Sequence, residues 1–111
     1  VNAKIEKCNI PLDDLTPFAL IINEIITNSL KYGLKDIENP EIFISIAQSV
    51  IGDTTLICGD NGKGFEEKIW LDHQTMGMEL IKTLSDQLDG EIKLRQEPNK
   101  TFYILKFKTR N

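Results

Sequence analysis

Between two apolar stretches stands the heptapeptide GDNGKGF, residues 59–65, with three glycines, one carboxylate, one amide and one ammonium. Each glycine loses more backbone entropy on folding than any other residue, so a cluster signals unusual backbone angles or a close approach. A calcium loop is excluded, because Gly62 stands where an oxygen ligand is needed and the closing glutamate is missing. A P-loop is excluded because no lysine–serine or lysine–threonine pair ends the segment. The dinucleotide fingerprint fails too: Gly62 and Gly64 are present, but Glu67 takes the last glycine's place and no helical pattern opens there. A tight turn after a strand and a nucleotide contact both stay open on these residues alone.

Two other places could do chemistry. Glu24 and Asn28 are four apart, hence stacked on one helix face, and Lys31 lies three further along it. Asparagine is a mediocre helix former, yet this helix carries Asn23 and Asn28. A carboxylate, a carbonyl oxygen and an ammonium on one strip suit a solvated surface. They also suit hydrated Mg2+ with phosphates, since that ion keeps its water and takes one or two protein oxygens. In TMGMEL, residues 75–80, Gly77 falls where a second helix begins. Unpaired N–H groups at such a start favour an anion, although a sharp chain turn explains the glycine as well.

The elements that must position these residues follow from length and periodicity. With 111 residues, 41% of them apolar and 27% charged, the chain suits one globular domain, 1–111. A net charge of −4 argues against a general nucleic-acid binder. Cys8 and Cys58 lack metal-ligand spacing and read as reduced thiols of a cytoplasmic compartment. The apolar runs are too short to span a bilayer and no signal peptide is present, so no membrane contact by this domain is expected. The chain begins at Val1 rather than methionine, which reads as a piece of a longer protein.

Residues 1–10 alternate weakly and predict an opening strand. A helix follows, with Thr16 as N-cap, Pro17 at its first position and Gly33 as its stop. Its inner side is expected to hold Phe18, Ile22, Ile25, Ile26, Ser29 and Leu30, with Glu24, Thr27, Asn28 and Lys31 opposite. Ile42, Ile44 and Ile46 alternate in one strand, and residues 54–58 make the second strand of a hairpin. Residues 65–75 are aperiodic, a loop with at most a short helical turn. A second helix turns Met76, Leu80, Ile81, Leu84 and Leu88 inward and ends at Gly90; a hairpin closes the chain. The order predicts an α+β fold, a two-layer α/β sandwich with helices on one face of a mixed, mostly antiparallel sheet. Strand order is not readable from it.

Taken together, ExxxN on a helix, DxGxG after a strand and a glycine at the mouth of a second helix resemble the GHKL ATPase superfamily, with its Bergerat-type ATP-binding fold. LIINEIITNSLKYG is similar to the N box of sensor histidine kinases, and TMGMELIKTLSDQLDGEI to their second glycine box and the strand after it. The subfamily most resembled is the one paired with the second type of HisKA dimerisation domain. The resemblance covers about residues 12–107.

It implies the following roles. Asn28 holds Mg2+ through its side-chain oxygen, and Glu24 orients a water or the acceptor. Lys31 meets phosphate and Tyr32 flanks the nucleotide. Asp60 accepts from the adenine amino group, while Gly62 and Gly64 make room for the base and hinge a lid. Gly77 and Met78 offer N–H groups to the phosphates, and Thr101 reaches the adenine, through water. Two positions depart from the pattern: Thr75 replaces the first glycine of the second glycine box, and Lys100 precedes Thr101 where glycine is usual. Trp70 is expected to pack on the core rather than cover the nucleotide.

The implied activity is that of the catalytic domain of a histidine kinase, binding Mg-ATP and supplying the γ-phosphoryl group to a histidine outside this chain. His73, alone of its type, falls in the lid without a helical setting and reads as a surface histidine. Expected partners are the dimerisation and phosphoacceptor domain of the same kinase, homodimeric at full length, and a response regulator. Two alternatives are a serine kinase of the anti-sigma-factor type and a nucleotide-gated interaction module.

Overall fold

The computed structural model describes residues 2–71 and 75–109. A strand β1 (Asn2–Ile5) leads to helix α1 (Leu12–Asn28), which runs into a π-helical turn (Ser29–Gly33). Strands β2 (Ile42–Gln48) and β3 (Asp53–Asp60) follow, then a short helix α2 (Glu67–Leu71) and helix α3 (Met76–Gln87). Strands β4 (Glu91–Glu97) and β5 (Lys100–Lys108) close the chain. The five strands form one sheet in the order β1-β2-β3-β5-β4. Only β1 and β2 are parallel, because α1 carries the chain back across the sheet between them; the other pairs are antiparallel. The expected α+β sandwich with a mixed, mostly antiparallel sheet is therefore what forms.

Period-two alternation decides which strand residues meet the helices. Thr101, Tyr103, Leu105 and Phe107 of β5 are buried, and Leu56 and Cys58 of β3 are wholly covered. All of these but Thr101 pack with Phe18, Ile21 and Ile25 of α1, Met78, Ile81 and Leu84 of α3, and Leu88 just beyond it. Each such side chain removed from water contributes about 1.5–3 kcal/mol, which is what holds the two layers together. Among the described residues no helix is long and apolar enough to cross a membrane.

Three local expectations are corrected. The first helix starts at Leu12, not at Thr16: Pro11 is its N-cap, and the Pro11 carbonyl accepts from the N–H groups of Asp14 and Leu15 at 2.9 Å. Asp13 and Asp14 in the first turn answer the helix dipole. Pro17 lies inside this helix, where burial of its ring beside Phe18 accompanies the loss of one N–H donor. Next, the helix phase differs, with Ile21 and Asn28 buried and Leu30 63% exposed. In α3, Met76 is 86% exposed and Leu80 sits at the surface, while Met78 is fully buried. The inward set is 78, 81, 84, 85 and 88, and the exposed Met76 and Leu80 lie on another side of the helix. The segment after Phe65 contains α2, and His73 lies outside the described residues.

This phase has a direct test in urea unfolding. Ile25→Ala should cost about 2–5 kcal/mol through the lost burial and the cavity left, and Leu30→Ala should stay within about 0.5 kcal/mol. The reverse order would restore the phase expected from periodicity.

Candidate functional site

The C-terminal half of α1 and the start of α3 flank a groove of about 310 Å³, lined by Glu24, Thr27, Asn28, Lys31, Tyr32, Thr75, Met76, Gly77 and Leu80. The α-helical hydrogen-bond pattern ends at Asn28 and widens into the π-helical turn, which carries exposed Lys31 and Tyr32. Lys31 and Tyr32, inside this turn, line the groove together with Glu24 and Asn28 of α1.

Asn28 is 5% exposed. Its Nδ2 donates to Tyr103 Oη of β5 at 3.4 Å, which leaves Oδ1 as the atom turned toward Gly77. A β-carbon placed on Gly77 would stand 2.9 Å from Glu24 Oε2 and 3.4 Å from Asn28 Oδ1. The helix strip and the mouth of α3 are therefore in contact, and a side chain at 77 would occupy the space between them. At that mouth Thr75 is the N-cap, its Oγ1 accepting from Met78 N–H at 3.1 Å. Of the two N–H groups expected to face an anion, that of Met78 is bound by Thr75. Gly77 N–H, in the first helical turn, has no intrahelical partner.

The end of β3 adjoins this groove without lining it. Asp60 is 2% exposed, and its Oδ1 accepts from Gly62 N–H at 2.8 Å. Its carboxylate lies against Gly33, the last residue of the π-helical turn, where a β-carbon would stand 2.6 Å from Oδ2. A β-carbon on Gly62 would strike the Gly33 carbonyl. Directly across the ladder from Asp60 stands Thr101, whose buried Oγ1 has no hydrogen-bond partner. Gly64, at φ 75°, passes over this hydroxyl so closely that a β-carbon would be 2.8 Å from it. The Phe65 ring beyond it meets the Tyr32 ring at 6.1 Å between centroids.

Tyr103 links the two halves. It bonds Asn28, and Trp70 of α2 meets it edge-on at 5.2 Å and 72°. Trp70 is 4% exposed and packed, with Lys82 Nζ 4.7 Å from its ring centroid. Burial pushes the Tyr103 phenol from an ordinary 10.0 up to about 12; the Asn28 bond pulls the other way and the Asp60 charge adds to the rise. Burial, and then Asp60, also lift the Cys58 thiol from 9.0 to about 12. Both groups are neutral at physiological pH. Neither Tyr103 nor Gln96, whose amide bonds Phe65, was expected at the site. The available signal was a polar group in an inward strand position, at 103 in β5 and at 96 in β4.

The residues fit Mg2+ and a nucleotide on the structure's own terms. Among the described residues no three His, Cys, Asp or Glu side chains gather, so a cation here would take few protein oxygens. Asn28 Oδ1 is the side-chain oxygen that would be offered to it, and Mg2+ tolerates so few protein oxygens by keeping water in its remaining places. The unpartnered Thr101 hydroxyl beside a buried carboxylate suits the edge of a base, which carries both donors and acceptors.

Comparison with known proteins follows the same lines. Residues 13–111 match the family described as histidine kinase-, DNA gyrase B-, and HSP90-like ATPase. An anti-sigma F factor of Clostridium kluyveri is 31% identical over 103 residues, covering 82% of this chain and 70% of that protein. The histidine kinase domain of a blue-light activated histidine kinase from Erythrobacter litoralis superposes with TM-score 0.87 at 17% identity, over 96% of this chain. This chain spans half (50%) of the length of that one. The Acinetobacter baumannii histidine kinase AdeS gives TM-score 0.80 at 16% identity, covering 99% of this chain and 54% of its own.

The two raised acid groups set a pH dependence. Each has a folded pKa above its ordinary value, so its stabilising contribution is complete below that value and is lost as pH rises through the folded one. Unfolding free energy should therefore fall as pH climbs from about 9 toward about 12. Tyr103→Phe should flatten the upper part of that fall in a series of urea titrations; an identical slope in the variant would remove the phenol from the account.

Proposed function

The chain belongs to the family of histidine kinase-, DNA gyrase B- and HSP90-like ATPases, and we propose that it binds Mg-ATP and supplies the γ-phosphoryl group to a histidine on another domain. The observation that carries this is one groove in which Glu24 and Asn28 face Gly77 and which Lys31 also lines, with Asp60 and Thr101 paired at its side. Asn28 Oδ1 holds the metal while Tyr103 keeps the amide nitrogen turned away. Glu24 orients a water or the acceptor, and Lys31 and the Gly77 N–H meet phosphate. Thr75 occupies Met78 N–H in the free domain and adds a hydroxyl beside the phosphates. Tyr32 flanks the nucleotide, Asp60 accepts from the adenine amino group, Gly62 and Gly64 leave room for the base, and Thr101 offers its free hydroxyl.

Little covalent chemistry is asked of such a site. When bound, Mg2+ neutralises charge on the triphosphate; the residues hold the donor in line and exclude water. In this reading the acceptor histidine lies on a dimerisation domain outside the chain, within a cytoplasmic, homodimeric kinase that serves a response regulator.

A second reading has a specific support. The Clostridium kluyveri anti-sigma F factor is 31% identical, against 17% for the Erythrobacter kinase domain, and favours transfer to a serine of a partner protein. The bond made distinguishes the two: phosphohistidine is labile in acid, whereas phosphoserine survives acid and is lost in alkali.

Titration calorimetry tests the common premise. Asn28→Ala should lower ATP affinity in Mg2+ at least about tenfold, about 1.4 kcal/mol, with little change in the absence of metal. Asp60→Ala should weaken ADP and ATP alike, since the base is common to both. Equal affinity of the unaltered protein for ATP and GTP would remove Asp60 as the adenine reader.

A further inference from the structure

Gln96 belongs to edge strand β4 and lies in the ladder opposite Thr101, which in turn faces Asp60. An amide, a hydroxyl and a carboxylate thus form one row across three strands, on the side of the sheet that meets the helices. Both ends of the Gln96 amide bond a single residue. Phe65 N–H donates to Gln96 Oε1 at 2.9 Å, and Gln96 Nε2 donates to the Phe65 carbonyl at 2.8 Å. This paired contact imitates one rung of a sheet, so the chain leaving the glycine cluster is tied to β4 although it forms no strand there. Gly64 makes the approach possible: a β-carbon at this position would collide with Gln96 Oε1. Its φ of 75° belongs to the left-handed region that favours glycine.

The tie fixes a wall. Residues 62–65 run from Asp60, pass over the unpartnered Thr101 hydroxyl and end at Phe65, whose ring faces Tyr32. The start of the segment is held by Gly62 N–H on Asp60 Oδ1 at 2.8 Å and Lys63 N–H on the Gly33 carbonyl at 3.2 Å, and its far end, beyond Gly64, by the two Gln96 bonds to Phe65. We infer that Gln96 is a positioning residue for the purine: by gripping both backbone groups of Phe65 it fixes the width of the space beside Asp60 and Thr101. It thereby sets nucleotide affinity and the preference for adenine over guanine. This inference rests on the nucleotide reading above and adds to it a residue that touches no ligand.

The test compares Gln96→Leu, which can make neither bond, with Gln96→Glu, which keeps the acceptor for Phe65 N–H and loses the donor. ADP and GDP affinities are measured by calorimetry, and amide exchange at Phe65 is followed by NMR. Gln96→Leu should weaken ADP about tenfold, the size of one or two net hydrogen bonds, and narrow the ADP-over-GDP preference. Phe65 exchange should accelerate while the amides of β3 and β5 stay protected, and Gln96→Glu should fall between the two. Gln96→Glu keeps the shape of the side chain and provides the reading if the leucine variant fails to fold. A purely structural role for Gln96 would lower stability and leave the purine preference of the folded protein untouched; that result overturns the inference. Failure of the unaltered protein to bind either nucleotide overturns the functional reading itself, and this one with it. Normal binding by the parent with unchanged affinity and preference in both variants overturns Gln96 alone.

Discussion

Asp60 carries a negative charge into the end of β3 at 2% exposure, and a charge so placed has to be met by polar groups or it becomes prohibitive. The surroundings are shaped by that need. Gly62 turns its N–H back onto the carboxylate, and Gly33 brings backbone against it where any side chain would collide. Cys58 and Tyr103, the ionisable neighbours on the same side of the sheet, have their ionisation pushed further up by burial first and by that charge as well. The glycines around position 60 are therefore explained by close approach more than by turning.

The same crowding explains why α1 ends as it does. Asn28 reaches the buried layer and gives its nitrogen to Tyr103, and the helix then widens by a π-helical turn before Gly33 arrives beside Asp60. A regular helix would rotate Lys31 and Tyr32 differently relative to α3. On the facing side Thr75 caps α3 in the place where the family pattern has glycine, which gives this mouth a hydroxyl and occupies one backbone donor. Tyr103 stands between the amide of Asn28 and the ring of Trp70, so the metal-binding candidate and the segment after the glycine cluster share one rigid neighbour.

Much of the architecture was legible locally. Alternating isoleucines at 42, 44 and 46 announced a strand, the glycine cluster announced a close approach, and Gly33 and Gly90 marked the ends of helical segments. Errors arose where two local signals competed. Pro17 looked like a first helical residue, yet Pro11, Asp13 and Asp14 began the helix a turn and more earlier. Met76 and Leu80 looked inward because their side chains are apolar, yet both line the open groove beside α1 rather than the core.

From the order of residues alone come the element types and the α+β class, because those depend on short-range periodicity, whereas the joint reading of three residue groups as a nucleotide site rests on their resemblance to the GHKL pattern. Tertiary structure alone decided the strand order, the burial of Asn28, the bond that orients it and the grip of Gln96 on Phe65. The partners in these contacts are 75 residues apart for Asn28 and Tyr103 and 31 for Gln96 and Phe65. No local pattern encodes such a meeting; it exists only after strands have paired in register and two helices have settled on one face.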